Sequence, residues 1–530
     1  MSSRGGQVDR FVHDRLPPIE EWPEIVPLDC VPQKGPLNCV SFLLERHTQD
    51  AMADRVAFHG EQGALSYGDL NDEVCRTANA LAEDFGIISG NRVLIRSANR
   101  PEVAVLWLAI QKIGAIPVTT MSLLREAELA AILAISQPKL AFCEESLSCE
   151  LKSAIKLAST SCVAVTLDDL SAKAATYPPE FTACKTNADD IALVGFTSGT
   201  TGKPKATIHF HRDVLTICKT LCRHIITPQP VDIFIGTSPL AFTFGLGGLM
   251  LFPLYAGASS ILLPRYTPEQ LLSAIGEYGA TVCFTVPTFY QQMARLAGNA
   301  QTRSLRLAVS SGEALPMPVG EEWRQKTSLS LTEVLGSTEL LHAFIGSTGA
   351  EIRKGFIGTP LPGYEAIILG DDGAQLEPGE LGRLAVKGPT GCRYLDDERQ
   401  IDYVQNGWNI TGDVCSIDAD GYVAYHARSD DMIISAGYNI SAAEVENALL
   451  THEDVSECAV IAAPDVERGH IVAAYIVPKN RRDDVQAFAT ELQAHVRAEI
   501  APYKYPRHIE FTDKIPRNES GKIQRFKLRN

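Results

Sequence analysis

The chain has 530 residues, 45% of them hydrophobic and 21% charged, with a formal net charge of -16. A single hydrophobic core stops growing well below that length, so two or more domains are expected. The acidic balance argues against nucleic acid or an anionic membrane as a partner, and any anionic ligand must be met by local cations.

The opening stretch MSSRGGQVDRFVHDRLPP is polar and lacks the apolar run of a secretory leader, which points to a cytoplasmic location. Ser66 to Phe85 reads as a helix: Leu70, Val74, Ala78 and Leu81 share one face, and Ser66 with Asp69 makes a capping pair. Arg92 to Ile95 follows as a short buried strand, then an apolar helix from Glu102 towards Gly114. Leu140–Phe142, Ile191–Val194, Ile261–Leu263 and Leu305–Val309 are further strand candidates between helical stretches. That alternation predicts an α/β class with parallel sheets covered by helices.

No charge occurs between Asp232 and Arg265, yet Pro239, Pro253 and the glycines from Gly245 to Gly257 interrupt the stretch. A buried turn, helix and strand are expected there rather than a membrane span. After about residue 375 glycines at 379, 382, 388, 391, 412 and 421 punctuate short alternating stretches, as in small antiparallel sheets. From Arg428 the pattern is a compact α+β unit: a strand, a helix from Ala442, strands near Val460 and Val472, a helix from Asp484 and a basic tail. A boundary near Asp430 divides the chain into 1–429 and 430–530.

The thirteen cysteines contain no CxxC, and only Cys218 and Cys222 lie close together, which fits reduced thiols rather than a disulfide framework. His209 and His211 form an HxH that no neighbouring Cys, Asp or Glu completes into a zinc set.

The most informative stretch runs from Ile191 to Lys205: an apolar strand, then Thr197, Ser198, Gly199, Thr200, Thr201, Gly202, Lys203, Pro204 and Lys205. Hydroxyls and exposed backbone N–H groups donate, the glycines permit close approach, and the two lysines add positive charge, a combination suited to a polyphosphate. The Walker pattern G-x-x-x-x-G-K-[ST] is excluded, because Gly199 and Gly202 are too close and Pro204 stands where its hydroxyl belongs.

This run resembles the phosphate loop of the adenylate-forming superfamily of acyl-CoA synthetases, nonribosomal-peptide adenylation domains and luciferases. Further motifs follow in order. Gly312-Glu313-Ala314-Leu315-Pro316 looks like the adenine-flanking segment, and Leu335-Gly336-Ser337-Thr338-Glu339 like the motif whose Thr and Glu meet phosphate and Mg²⁺. Thr411-Gly412-Asp413 looks like the ribose-binding motif, Arg428 to Asp431 like the arginine-plus-hinge signature, and Pro516 to Lys522 like the catalytic-lysine motif.

The resemblance implies a large N-terminal domain with two helix-covered, mainly parallel sheets and a small β-barrel-like part, plus a small mobile α+β C-terminal domain. It implies ATP, Mg²⁺ and coenzyme A as cofactors and substrates. Lys522, Glu339 and Thr338 would be catalytic and Glu339 the Mg²⁺ ligand, with Asp413 and Arg428 on the ribose. Asp430 would be the hinge, and Gly437 with Tyr438 would line the CoA thiol path. Lys504, Arg507, Arg525 and Lys527 are weaker candidates for the CoA phosphates. The sequence departs from the pattern at Leu335, where many relatives carry an aromatic ring, at Ala427 before Arg428, and at Ile434 and Ser435, which lack the usual lysine.

The acid pocket should come from Ser238–Gly248 and Gly336–Ala343. Within these segments Phe242, Thr243, Phe244, Gly245, Gly336, His342 and Ala343 most resemble benzoate- and 2-aminobenzoate-CoA ligases. Phe244 opposite a glycine would sandwich an aryl ring. Ala343, where benzoate ligases carry isoleucine, and the Thr243 hydroxyl would suit an ortho-amino group, so 2-aminobenzoate (anthranilate) is expected over benzoate. The alternatives are benzoate or another aryl acid, a carrier protein in place of CoA, a luciferase-like oxygenase and a non-enzymatic ATP-binding module. The expected partners are the small aromatic acid, ATP and CoA, with an acyl-transfer enzyme or carrier protein downstream, and the chain is expected to be a monomer or homodimer.

Overall fold

The computed structural model describes residues 6–198, 203–296, 301–429, 432–435, 438–465, 469–480, 482, 484–500, 502–517 and 523–528. Two mainly parallel sheets dominate the N-terminal part. The larger has nine strands, with Leu331–Gly336, Leu307–Ser310, Val282–Thr285, Ile233–Gly236, Ser259–Ile261 and Val56–Gly60 side by side and parallel. Antiparallel strands close both edges, Ala343–Gly346 and Thr359–Pro360 on one side and Gly63–Ser66 on the other.

The six-stranded sheet runs in the order Val163–Thr166, Leu140–Cys143, Arg92–Arg96, Ile116–Thr120, Ile191–Ser198, Pro204–Phe210, and only its last pair is antiparallel. The helix Pro101–Ile113 is buried from Val103 through Ile113. It belongs to a core cluster that includes Phe142 and Ile95 of the smaller sheet and Phe58 and Phe284 of the larger one. From Val103 to Ile110 the helix is apolar on every face, as a seam between two sheets requires.

The expected elements appear with small shifts. The helix Tyr67–Glu83 is capped by Ser66, whose side chain accepts from the Asp69 N–H. The strand expected at Ile261–Leu263 is instead Ser259–Ile261, and that expected at Leu305–Val309 is Leu307–Ser310. The uncharged stretch after Asp232 forms a strand, a helix from Thr243 to Ala256 and a further strand. A π turn over Gly247–Leu251 widens that helix in its middle. Among the described residues no helix is long and apolar enough to cross a membrane.

A five-stranded antiparallel sheet follows, built from Glu365–Leu369, Gly382–Lys387, Trp408–Ile417, Val404–Gln405 and Val423–Arg428. The C-terminal part holds the helices Ala442–Leu450 and Val485–Glu499 against Val455–Asp465, Gly469–Pro478 and His508–Phe511, with a core of its own around Val445, Val460, Ile476 and Leu492. The strand His508–Phe511 was not expected from the sequence. It alternates exposed and half-buried residues and lies parallel to Gly469–Pro478, its one partner strand among the described residues, so it carries no long apolar run.

Candidate active site

Strand ends from three sheets meet at a cavity of about 860 Å³. Parallel α/β sheets commonly bind ligands beyond the carboxyl ends of their strands. Thr197 and Lys205, facing partners in the antiparallel pair that brackets the phosphate-loop candidate, both line it. Gly312, Glu313 and Ala314 follow the strand Leu307–Ser310, and Leu335 to Glu339 end and follow the strand Leu331–Gly336; all of them face the cavity. Asp413 and Arg428 enter from adjacent strands of the five-stranded sheet, directly opposite each other in register. Gly199, Thr200, Thr201 and Gly202 lie outside the described residues, as does the side chain of Ser198. Lys203 is exposed.

The Thr338–Glu339 turn is fixed from three directions. Leu341 N–H donates to the Thr338 carbonyl at 3.0 Å, and Leu341 takes a φ of +71°, a conformation a bulky residue adopts only when its surroundings impose it. Beneath the turn, fully buried His209 sets Nε2 2.8 Å from the same carbonyl. A carbonyl only accepts, so Nε2 carries the hydrogen. Burial lowers the His209 pKa to about 4, so the ring is neutral in this role. On the third side, Tyr394 OH donates to Glu339 Oε1 at 2.7 Å, and Lys205 Nζ donates to Tyr394 OH at 3.0 Å. Close packing depends on Gly195, where a Cβ would stand 3.0 Å from Thr338 Cγ2 and 3.2 Å from Thr207 Oγ1.

His211, the other member of the HxH, turns away and meets Cys39 Sγ at 2.8 Å through Nδ1. The two histidines thus serve different contacts, and no metal-holding cluster of His, Cys, Asp and Glu occurs among the described residues.

Across the cavity, Arg428 donates from Nη1 to Asp413 Oδ1 and to the Thr411 carbonyl, both at 2.9 Å. The Asp413 charge raises the Arg428 pKa further. Gly412 has a φ of +76°, and a Cβ there would lie 2.9 Å from Arg428 Nη2, so both the turn and the close guanidinium exclude a side chain. Glu333, absent from the sequence-derived candidates, also lines the cavity and accepts from the Leu315 N–H at 2.9 Å. Burial raises its pKa to about 7.

The C-terminal part completes the wall with Arg517, Ile523 and Arg525. Ile523 N–H donates to Glu313 Oε1 at 3.2 Å, and Thr288 Oγ1 donates to Glu313 Oε2 at 3.1 Å. Arg517 reaches Thr288 Oγ1 at 3.0 Å and Glu457 Oε2 at 3.2 Å. Farther out, Arg295 Nη2 donates to the Ser456 carbonyl at 3.1 Å and Gln291 Nε2 to the same carbonyl at 3.3 Å. Lys522, Asp430 and Gly437 lie outside the described residues, as does the Tyr438 side chain. Of the suggested CoA-phosphate contacts, Lys504 is held by both oxygens of Glu444 at 2.6 Å and Arg525 by Glu446 at 2.8 Å, which neutralises both cations.

Of the acid-pocket candidates only Gly336 reaches the cavity wall. Phe244 and His342 pack together behind it, ring centroids 5.9 Å apart, with Phe284 and Phe252 around them. Buried Ala343 pairs with Gly336 across the strands, where a Gly336 Cβ would be 2.7 Å from Ala343 N and Cα. Phe242 and Thr243 begin the helix after the turn at Pro239 and are half-buried. A Cβ on Gly245 would meet the Pro239 carbonyl oxygen at 2.2 Å, so this glycine allows the close approach of the turn. His342 is 3% exposed, and neither ring nitrogen has a hydrogen-bond partner among the described residues.

This fold and this convergence of strand ends define a nucleotide-handling ligase class, and the chain belongs to the AMP-binding enzyme family. Residues 44–393 match that family and residues 444–522 match the AMP-binding enzyme C-terminal domain. Among characterised relatives, the benzoate–CoA ligase of Thauera aromatica is 31% identical over 529 residues, 98% of each chain. The solved structure of the anthranilate CoA ligase AuaEII with anthranoyl-AMP superposes with a TM-score of 0.87 at 30% identity, covering 93% of this chain and 96% of that one. A benzoate CoA ligase from Burkholderia xenovorans gives 0.86 at 29% identity, covering 93% of this chain and 100% of that one.

Proposed function

We propose that the chain is an ATP-dependent aryl acid–CoA ligase that makes an aryl-adenylate and passes the acyl group to the CoA thiol. The observation that carries the reading is the meeting of six motif-bearing segments at one cavity, in a chain similar over nearly its whole length to ligases named for benzoate and anthranilate. A carboxylate does not acylate a thiol directly, because its oxygen is a poor leaving group. In the first step an oxygen of the aryl carboxylate attacks the α-phosphorus, and the bond to pyrophosphate breaks. In the second the thiol sulfur attacks the carbonyl and AMP leaves with the bonding pair, so one difficult step becomes two.

Each residue has a physical task in this scheme. The loop from Thr197 to Lys205 donates to the phosphates. Gly312, Glu313 and Ala314 flank the adenine with Leu335 and Gly336, and Glu333 supplies an acceptor at that end. The Asp413 oxygen left beside Arg428 accepts from the ribose. The donor set at Thr338 and Glu339 consists of hard oxygens at the cavity wall, which fits Mg²⁺. When bound, Mg²⁺ neutralises phosphate charge. Lys522 would bridge the carboxylate and the ATP during adenylation. Its segment is bracketed by Arg517 and Ile523, both on the cavity wall.

The part from about residue 430 onward is proposed to act as a domain that rotates at Asp430 between the steps, withdrawing Lys522 and bringing Gly437 and Tyr438 to the thiol path. It has a hydrophobic core of its own, which supports an independent unit. It meets the N-terminal part through polar contacts around Glu313, Thr288 and Ser456, a Met317 N–H bond to Asn447 Oδ1, and the helix Ala442–Leu450. The location is proposed as cytoplasmic.

Anthranilate is the favoured acid. The preference rests on the sequence, where a small Ala343 stands in place of the isoleucine of benzoate ligases and Thr243 offers a hydroxyl. It rests also on His342, whose ring nitrogens have no hydrogen-bond partner among the described residues. Benzoate is the second reading, favoured by the relative from Thauera aromatica. A panel of aryl acids assayed for AMP release with and without CoA tests both. Absence of pyrophosphate with every acid overturns the ligase reading, and equal kcat/KM for benzoate and anthranilate overturns the preference.

A further inference from the structure

We propose that Tyr394 is a positioning residue for metal binding at Glu339, its phenol turning one carboxylate oxygen inward so that the other is presented to the cavity. The proposal rests on the reading of Glu339 as the metal-binding carboxylate. Lys205 Nζ can only donate, and it stands 3.0 Å from Tyr394 OH. The phenol oxygen therefore accepts from Lys205, and its single O–H goes to Glu339 Oε1 at 2.7 Å. The order Lys205, Tyr394, Glu339 is fixed by proton count.

Two features make the relay rigid. Tyr394 is fully buried, its backbone N–H donates to Gln400 Oε1 at 2.8 Å, and its ring meets Tyr403 edge-on at 5.6 Å. Glu339 is 8% exposed and lines the cavity, and no hydrogen bond from a described residue reaches its Oε2. A glutamate's last torsion is soft, so a carboxylate held at one oxygen loses the freedom that would otherwise have to be removed when a cation binds.

The phenol also separates two opposite charges. Without its hydroxyl, the Lys205 ammonium is left facing the Glu339 carboxylate across a short gap in a poorly solvated place. A direct ion pair there would occupy the carboxylate that the cation needs. Tyr394 thus lets Lys205 support Glu339 without neutralising it.

The test uses the full chain, Mn²⁺ in place of Mg²⁺ and a non-hydrolysable α,β-methylene ATP, with free Mn²⁺ read by electron spin resonance so that no turnover is needed. Tyr394→Phe is expected to weaken Mn²⁺ binding by about 10- to 100-fold, the usual loss when a partner of a metal ligand is removed. The thermal midpoint is expected to fall somewhat, because Lys205 and Glu339 each lose a buried partner, so binding is read at a temperature where the variant is folded; the ring still packs on Tyr403. Glu339→Gln must weaken Mn²⁺ at least as much. Weakening by Glu339→Gln with none by Tyr394→Phe overturns the positioning role and leaves the Glu339 reading standing. No weakening by Glu339→Gln removes that reading and the proposal together. Should the phenylalanine variant not fold, Lys205→Gln, which removes the anchor and leaves the ring, must lower Mn²⁺ affinity, and unchanged affinity overturns the relay.

Discussion

On the N-terminal side of the cavity Thr338 and Glu339 are held by His209 and Tyr394, both fully buried, through hydrogen bonds of 2.8 and 2.7 Å. On the C-terminal side the contacts are ion pairs and backbone acceptors at a partly exposed seam. The Arg517 side chain is 22% exposed, and Glu313, its partner across the seam at 3.5 Å, is 17% exposed. Buried hydrogen bonds cost most when half of one is removed, because the orphaned group cannot reach water. Exposed ion pairs exchange readily with solvent and are worth little each. The first side is thus suited to keep one geometry through the two proposed half-reactions, and the second to be released and remade in the proposed rotation.

Acid should break the first side before the second. Burial lowers the pKa of His209, His211 and His342 to about 4 each, below the ordinary value of 6.5. Above pH 6.5 all three are neutral whether folded or not, so their contribution to stability is fully present. As the pH falls from 6.5 to 4 the unfolded chain takes up protons that the folded chain refuses, and stability is lost. Each proton is worth about 1.4 kcal/mol per pH unit. Chemical denaturation should take up less than one proton in total from these rings at pH 7 and about two to three near pH 5, and His342→Phe should remove close to one of them.

Lys522→Ala sharpens the comparison from the other side. Pyrophosphate release should fall about 100- to 1000-fold, the scale of losing one group that stabilises developing charge. Thioester formation from preformed aryl-adenylate should be nearly unaffected. Equal loss in both steps, read by separate assays, would place Lys522 outside the scheme. His209→Leu, which leaves the Thr338 carbonyl with the Leu341 N–H as its remaining donor, should cost about 1 kcal/mol in a denaturant titration. Ala343→Ile should shift the anthranilate-to-benzoate ratio of kcat/KM by about tenfold towards benzoate. Smallest is Arg295→Ala at the Ser456 contact, expected below about 1 kcal/mol in stability, with its effect seen as a changed ratio of the two half-reaction rates.

The sequence displayed these parts unevenly. Ser66 and Asp69 announced the helix Tyr67–Glu83 because capping is local chemistry within one turn. The strand into the Thr-Ser-Gly loop was equally visible, since an apolar run stops abruptly at hydroxyls and glycines. The residues that hold the site were not. His209 reads as half of an HxH, and its acceptor is 129 positions away. Tyr394 lies in an unremarkable stretch, 55 positions from Glu339. Glu333 looks like a polar interruption of a strand, and only the fold brings it to the cavity. Phe244 and His342 were expected together and do meet, but behind the wall. Periodicity records which residues are buried and says little about how deep a pocket reaches.

The π turn at Gly247–Leu251 lies against His342, where a Cβ on Gly247 would come within 2.4 Å of the ring. A π turn holds one residue more than the α-helical turn it replaces. Removing one residue there would restore regular winding and swing Thr243 and Phe244 about the helix axis by roughly 100°, the advance of a single α-helical position. Under the proposed placement of the acid beside Thr243 and Phe244, substrate preference would then be rewritten by a change in length rather than in side-chain identity, with both sheets left intact.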